Sequence, residues 1–169
     1  GTMIRPLLLQ AYSQVLLSDR IEPADLQPGE TFISADLARF DEVERLMTGI
    51  DGVIHLGGQS VEAAWEVVLN ANIIGLYNVY ETARQAGVAR LVFASSNHAV
   101  GFYPRAQTID NTVPVKPDSR YGVSKAFGEA LGSLFASKQW HDLLLCLTRS
   151  QRDDRTMIDN STAVVMRSV

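Results

Sequence analysis

Tyr121 and Lys125, in the run Tyr121-Gly122-Val123-Ser124-Lys125, stand four residues apart, the spacing that puts two side chains on one face of a helix. A phenol beside an ammonium is a base with its tuner. The positive charge favours phenolate and draws a tyrosine pKa from about 10 toward the range where an alcohol can be deprotonated. Exposed helix pairs with this spacing are common, so the pair needs a second feature. Ala94-Ser95-Ser96-Asn97-His98 supplies one: hydroxyls follow an apolar run, and open α/β sheets bind ligands at the C-terminal ends of their strands. The bland reading of Ser96 is a strand-end hydroxyl capping a turn.

Positioning such groups needs a sheet with helices packed on it, and the chain has that pattern. Short apolar runs at 14–18, 31–35, 52–56, 90–95 and 142–148 alternate with longer amphipathic stretches, as in repeated βα units over a parallel sheet buried on both faces. Helices are expected at 40–48, where Phe40, Val43, Leu46 and Met47 share a face, at 61–85 with Gly87 as a C-terminal stop, and at 119–138. Between Asn97 and Asp118, Gly101, Pro104, Pro114 and Pro117 break any period and predict a long loop after a strand, a common home for function. Residues 3–12 read as the end of a helix.

Composition bounds the rest. A length of 169 residues suits one domain, and 46% hydrophobic with 20% charged residues is an ordinary globular balance. The net charge of −4 and the lack of a Lys/Arg cluster argue against nucleic acid as a partner. The single cysteine, Cys146, lies in an apolar run, cannot form an internal disulfide, and reads as core filler in a reducing compartment. No apolar run approaches the roughly 20 residues that span a bilayer, so no membrane role is expected and the cytoplasm is the default location.

Ser96 at a strand end, followed by the YxxxK of Tyr121 and Lys125, resembles the Ser-Tyr-Lys centre of the extended short-chain dehydrogenases, the NAD-dependent epimerase/dehydratase superfamily. The likeness runs from Gln14 to about Lys138. Asp36-Leu37 resembles the family's adenine contact, His55-Leu56-Gly57-Gly58 its small-residue turn beneath the cofactor, and Asn72 the asparagine that braces the active site. Within the family, Ser95-Ser96-Asn97-His98 and Gly101-Phe102-Tyr103 most resemble the uronate dehydrogenases. That resemblance implies a doubly wound α/β Rossmann domain over 1–150, with Ser96, Tyr121 and Lys125 catalytic. It implies NAD held by Asp19, Asp36, Leu37, Leu56, Gly57, Gly58, Asn72, Tyr121 and Lys125. A sugar acid would be held by Ser60, Ser96, Asn97, His98 and Arg155, and a homo-oligomer is expected. A lone loop histidine is more often structural, so His98 rests on the resemblance; His55 reads as core and His141 as surface. Asp19 ends a strand where a carboxylate accepts ribose hydroxyls and repels a 2′-phosphate, favouring NAD over NADP, while Arg20 beside it would pair with that phosphate.

Two departures stand out. The chain has no GxxGxxG turn, whose backbone N–H groups and helix N-terminus receive a pyrophosphate, and no strand ahead of it. The expected consequence is an apolar gap at the centre of the sheet. The tail over 151–169 has no assignment beyond a remnant of the substrate-binding region, with Arg155-Thr156-Met157 weakly similar to a carboxylate-binding segment. Three explanations stay open: the residues belong to a longer protein, the product is truncated, or it is a remnant with another use. The expected reaction is oxidation of a hexuronate at C1 to an aldaric lactone. The rivals are a nucleotide-sugar epimerase or dehydratase and a non-catalytic binding or scaffold protein.

Overall fold

The computed structural model describes residues 3–138 together with the strands 143–146 and 163–167. The expected βα alternation is present. Helix α1 (Arg5–Ala11) leads into β1 (Gln14–Asp19), and β2 (Glu30–Ser34), α2 (Phe40–Leu46) and β3 (Gly52–His55) follow. A continuous helical segment comes next as α3 (Trp65–Val68), a π-helical turn (Leu69–Ile74) and α4 (Gly75–Gln85). It starts later than the expected 61: residues 61–64 are not helical, and Glu62 among them is held by the Tyr121 N–H and by Arg120. Then come β4 (Arg90–Ala94), a 3₁₀ turn (Asn97–Val100), α5 (Arg120–Lys138), β5 (Leu143–Cys146) and β6 (Ala163–Arg167).

The sheet corrects two expectations. Its six strands run β2-β1-β6-β3-β4-β5, and β6 is antiparallel to both neighbours, so the sheet is mixed rather than wholly parallel. Residues 163–167 come from the stretch left without assignment, and they fill the slot expected to be a gap. The physical reason is backbone pairing: Leu16 and Val53 both stand opposite Val165, so neither β1 nor β3 leaves an unpaired edge inside the sheet. The other correction concerns β2. It lies at the sheet edge with Thr31, Ile33 and Ser34 exposed, so it is not buried on both faces.

One hydrophobic cluster joins α2, α4 and α5 to β3 and β4 through Val43, Met47, Val53, Tyr80, Phe93 and Phe135. A smaller one packs α1 onto β1 around Val15 and Leu17. Helix α5 presents Tyr121, Lys125, Gly128, Gly132 and Phe135 along one buried stripe. A Cβ at Gly128 would run into the Phe93 ring, so a glycine there lets α5 lie close against β4. That approach sets the position of the residues one and two turns earlier on the helix.

Candidate active site

Ser119 begins α5 by accepting the Gly122 N–H on its hydroxyl at 3.0 Å, the bond of an N-cap. Tyr121 and Lys125 follow on the stripe that faces β4, buried to 5% and 7% exposure, and Ser96 at the end of β4 is exposed by only 8%. The Ser96 side chain acts on the Tyr121 phenol from the end of β4 and draws its pKa down, while its own hydroxyl donates to Asn97 Oδ1 at 3.2 Å. The Ser96 hydroxyl also accepts the His98 N–H at 3.2 Å, the local cap of the 3₁₀ turn, so the bland reading of this serine is true as well. The Lys125 ammonium donates to the Ala94 carbonyl at 2.8 Å and lies 5.4 Å from the centre of the Tyr121 ring. The structure therefore brings Ser96, Tyr121 and Lys125 into one corner.

The electrostatics differ from the expectation that Lys125 lowers Tyr121. Burial pushes the Tyr121 phenol up, and the Ser96 hydrogen bond opposes it only in part. Lys125 is itself pushed down to about 8 by burial. The ammonium donates to a backbone carbonyl and lies over the tyrosine ring. In this arrangement desolvation outweighs the cation.

Beyond the C-terminal ends of β1, β2 and β3 lies a cleft of about 510 Å³ lined by Asp19, Arg20, Asp36, Leu37, Gly57 and Gly58, among others. Five residues expected to hold a cofactor thus meet in one place, with Arg20 beside them. Leu56 precedes the Gly57-Gly58 turn and does not line the cleft. Asn72 lies behind the wall. Its Oδ1 accepts the Gln59 N–H at 2.7 Å, while its amide donates to the Gln59 carbonyl at 2.9 Å and to the Ser124 hydroxyl at 2.9 Å. One buried amide therefore ties the cleft wall to α5. Gly58 adopts φ +112, and a Cβ there would strike Asn72 Oδ1, so the turn demands glycine twice over.

The residues expected to hold a sugar acid are more exposed. Asn97 and His98 open the 3₁₀ turn beside Ser96, and His98 meets the Tyr121 ring edge-on at 5.6 Å between centres. Ser60 is exposed just after the glycine turn. Its neighbour Glu62 accepts the Tyr121 N–H at 3.0 Å and pairs with Arg120 at 2.9 Å, holding that segment against the start of α5. Arg155 and His141 lie outside the described residues, as does the side chain of Cys146. His55 is core as expected, 2% exposed and stacked on Phe93.

Sequence reasoning missed Glu62, Asp118 and the lining residues Gln59, Asn70 and Ala71. Asn70, Ala71 and Asn72 belong to the π-helical turn, a widened turn that recurs at functional sites and leaves no periodic signature to find. Asp118 had a legible signal, since Asp118-Ser119 directly precedes a helix start, but capping alone does not reveal a partner 20 residues away.

A crevice at the C-terminal strand ends, at the point where the strand order reverses, defines a dinucleotide-binding α/β domain. The chain belongs to the NAD dependent epimerase/dehydratase family, whose model matches residues 1–146. It is 47% identical over 137 residues to uronate dehydrogenase of Pseudomonas syringae pv. tomato, covering 80% of this chain and 50% of that protein. It is 50% identical over 106 residues to the Agrobacterium fabrum uronate dehydrogenase, covering 63% of this chain and 40% of that one. The fold superposes with a TM-score of 0.79 on glucuronic acid dehydrogenase from Chromohalobacter salexigens, at 50% identity over 82% of this chain and 52% of that one. A mutant of the Agrobacterium tumefaciens uronate dehydrogenase solved with NAD superposes equally, with a TM-score of 0.79 at 42% identity, covering 82% of this chain and 52% of that one. The chain spans about half the length of the curated relatives it matches.

Proposed function

We propose that the protein is an NAD-dependent dehydrogenase that oxidises the ring C1 hydroxyl of a hexuronate, such as glucuronate or galacturonate, to an aldaric acid lactone. The observation that carries the reading is the buried corner of Ser96, Tyr121 and Lys125, tied through Asn72 to the cleft at the strand ends. Identity near one half to uronate dehydrogenases supports the choice of substrate.

The cleft fits the adenosine half of NAD. About 510 Å³ lies within the range of small-molecule sites, Asp19 stands at its edge to accept ribose hydroxyls, and Asp36 and Leu37 form a wall for the base. The small turn of Gly57 and Gly58 allows close backbone approach, and Lys125 would hold the nicotinamide ribose.

NAD, when bound, accepts the hydride leaving C1. Tyr121 takes the proton of the C1 hydroxyl, and the C1–O bond becomes the lactone carbonyl. Ser96 hydrogen-bonds the reacting oxygen and holds it against Tyr121. Lys125, whose ammonium lies over the Tyr121 ring, would offset the upward push of burial on Tyr121. Ser60, Asn97, His98 and Arg155 orient the sugar acid. Exposed Trp65, Tyr77, Val123 and Leu134 along α3, α4 and α5 support a homo-oligomer, and the cytoplasm remains the expected site of action.

The test is absorbance at the NADH band on mixing the protein with NAD and glucuronate or galacturonate, followed by identification of the product. Stoichiometric NADH with lactone supports the reading. Interconversion of a nucleotide sugar without NADH would replace it with an epimerase, and NAD binding without turnover of either substrate would leave a binding protein.

A further inference from the structure

His98 does not stand alone. Its Nδ1 lies 2.8 Å and 3.0 Å from the two carboxylate oxygens of Asp118, and the backbone ties the same residues together, because the Asp118 N–H donates to the His98 carbonyl at 3.3 Å. The Ser119 hydroxyl donates to Asp118 Oδ1 at 2.9 Å, the oxygen that lies nearest Nδ1, and adds a second hold on the carboxylate. Two further backbone bonds, Lys116 N–H to the Ala99 carbonyl and Phe102 N–H to the Lys116 carbonyl, zip residues 99–102 onto 116–118. A Cβ at Gly101 would occupy the place of the Asp118 carboxylate, so the turn is cut to admit it.

An ionised carboxylate only accepts hydrogen bonds, so Nδ1 must carry a proton. In the neutral ring that leaves Nε2 as a bare acceptor. We infer that Asp118 is a positioning residue: it locks His98 in the Nδ1–H tautomer, so that Nε2 accepts a hydrogen bond from a substrate hydroxyl beside Tyr121 rather than binding the acid's carboxylate. The inference rests on the proposed sugar-acid reading for its substrate, while the tautomer itself does not.

The experiment is ¹⁵N NMR of the imidazole rings of the whole chain at a pH where histidine is neutral, with His98→Gln assigning the signal. Wild type should show a pyrrole-like Nδ1 and a pyridine-like Nε2, and Asp118→Asn should shift His98 toward the Nε2–H form without loss of folded signal. An Nε2–H tautomer in wild type, or an unchanged ring in Asp118→Asn, overturns the inference. Kinetics on glucuronate give the second arm. Asp118→Asn should raise KM by about two- to tenfold, the loss of one neutral hydrogen bond, with kcat nearly unchanged. A locked tautomer with unchanged KM overturns the hydroxyl contact. If wild type turns over no sugar acid, the function reading falls, and the NMR arm still decides the tautomer.

Discussion

The two halves of the sheet treat their polar residues differently. On the β3-β4-β5 side, Ser96, Tyr121 and Lys125 are buried where α5 packs on β4, and burial moves both ionisable groups away from their ordinary values. On the β1-β2 side, Asp36 and Arg20 are exposed at the rim of an open cleft, and β2 is an edge. Backbone pairing through β6 joins the two sides of the sheet, and apolar packing of Leu16 against the β3-β4 cluster and of Ile54 against Val15 and Leu17 adds to it. The contrast teaches that proton chemistry needs a dry, rigid place where a few ångströms change a pKa. Recognition of a soluble cofactor needs a reachable rim, and tolerates water.

The largest effect should come from the buried side. Tyr121→Phe should lower turnover of a sugar acid by about 10²- to 10⁴-fold while NAD affinity changes only a few fold, since a single ionisable oxygen is lost. Initial rates beside a calorimetric NAD titration check this, and retained turnover would remove Tyr121 as the base. On the open side, the 169-residue chain should bind NAD about a hundredfold or more weakly than a relative with a GxxGxxG turn. Losing a helix terminus and charge-assisted hydrogen bonds costs several kcal/mol, and each 1.4 kcal/mol is tenfold. Equal affinities would mean that another segment receives the phosphates.

The joint between the halves can be broken directly. Val165→Pro removes a donor from a strand paired on both sides and should cost about 1–3 kcal/mol or more, read from the urea midpoint. An unchanged midpoint would show that β6 does not bind the halves together.

The smallest effect is a slope in pH. Burial lowers His55 to about 3, so between about 6.5 and 3 the unfolded chain binds a proton that the folded chain refuses. The contribution of a neutral His55 is therefore lost as pH falls through that window, by up to about 1.4 kcal/mol per unit. Urea midpoints at pH 7 and pH 5 should differ less in His55→Phe than in wild type, and an identical difference would refute the assignment.

Much of the positioning was legible in the chain itself. Apolar runs of strand length set β1, β3 and β4 to within a residue or two, because strands covered on both faces have no choice of composition. The four-residue spacing of Tyr121 and Lys125 settled that they share a helix face, and Gly57-Gly58 announced a tight turn. What the sequence could not decide was anything set by approach between distant segments. The Asn72 bridge from Gln59 to Ser124, the clasp of Glu62 on the Tyr121 N–H and the Asp118 grip on His98 each join residues 13 to 59 positions apart, and side-chain type does not encode the partner. The antiparallel β6 is the same case: four apolar residues and Arg167 carry no sign of direction or neighbour, and two open strand edges select them. The pKa shifts of Tyr121 and Lys125 are a further case, because burial, which sets the direction of both, belongs to the packing of α5 on the sheet and not to the spacing of the two residues.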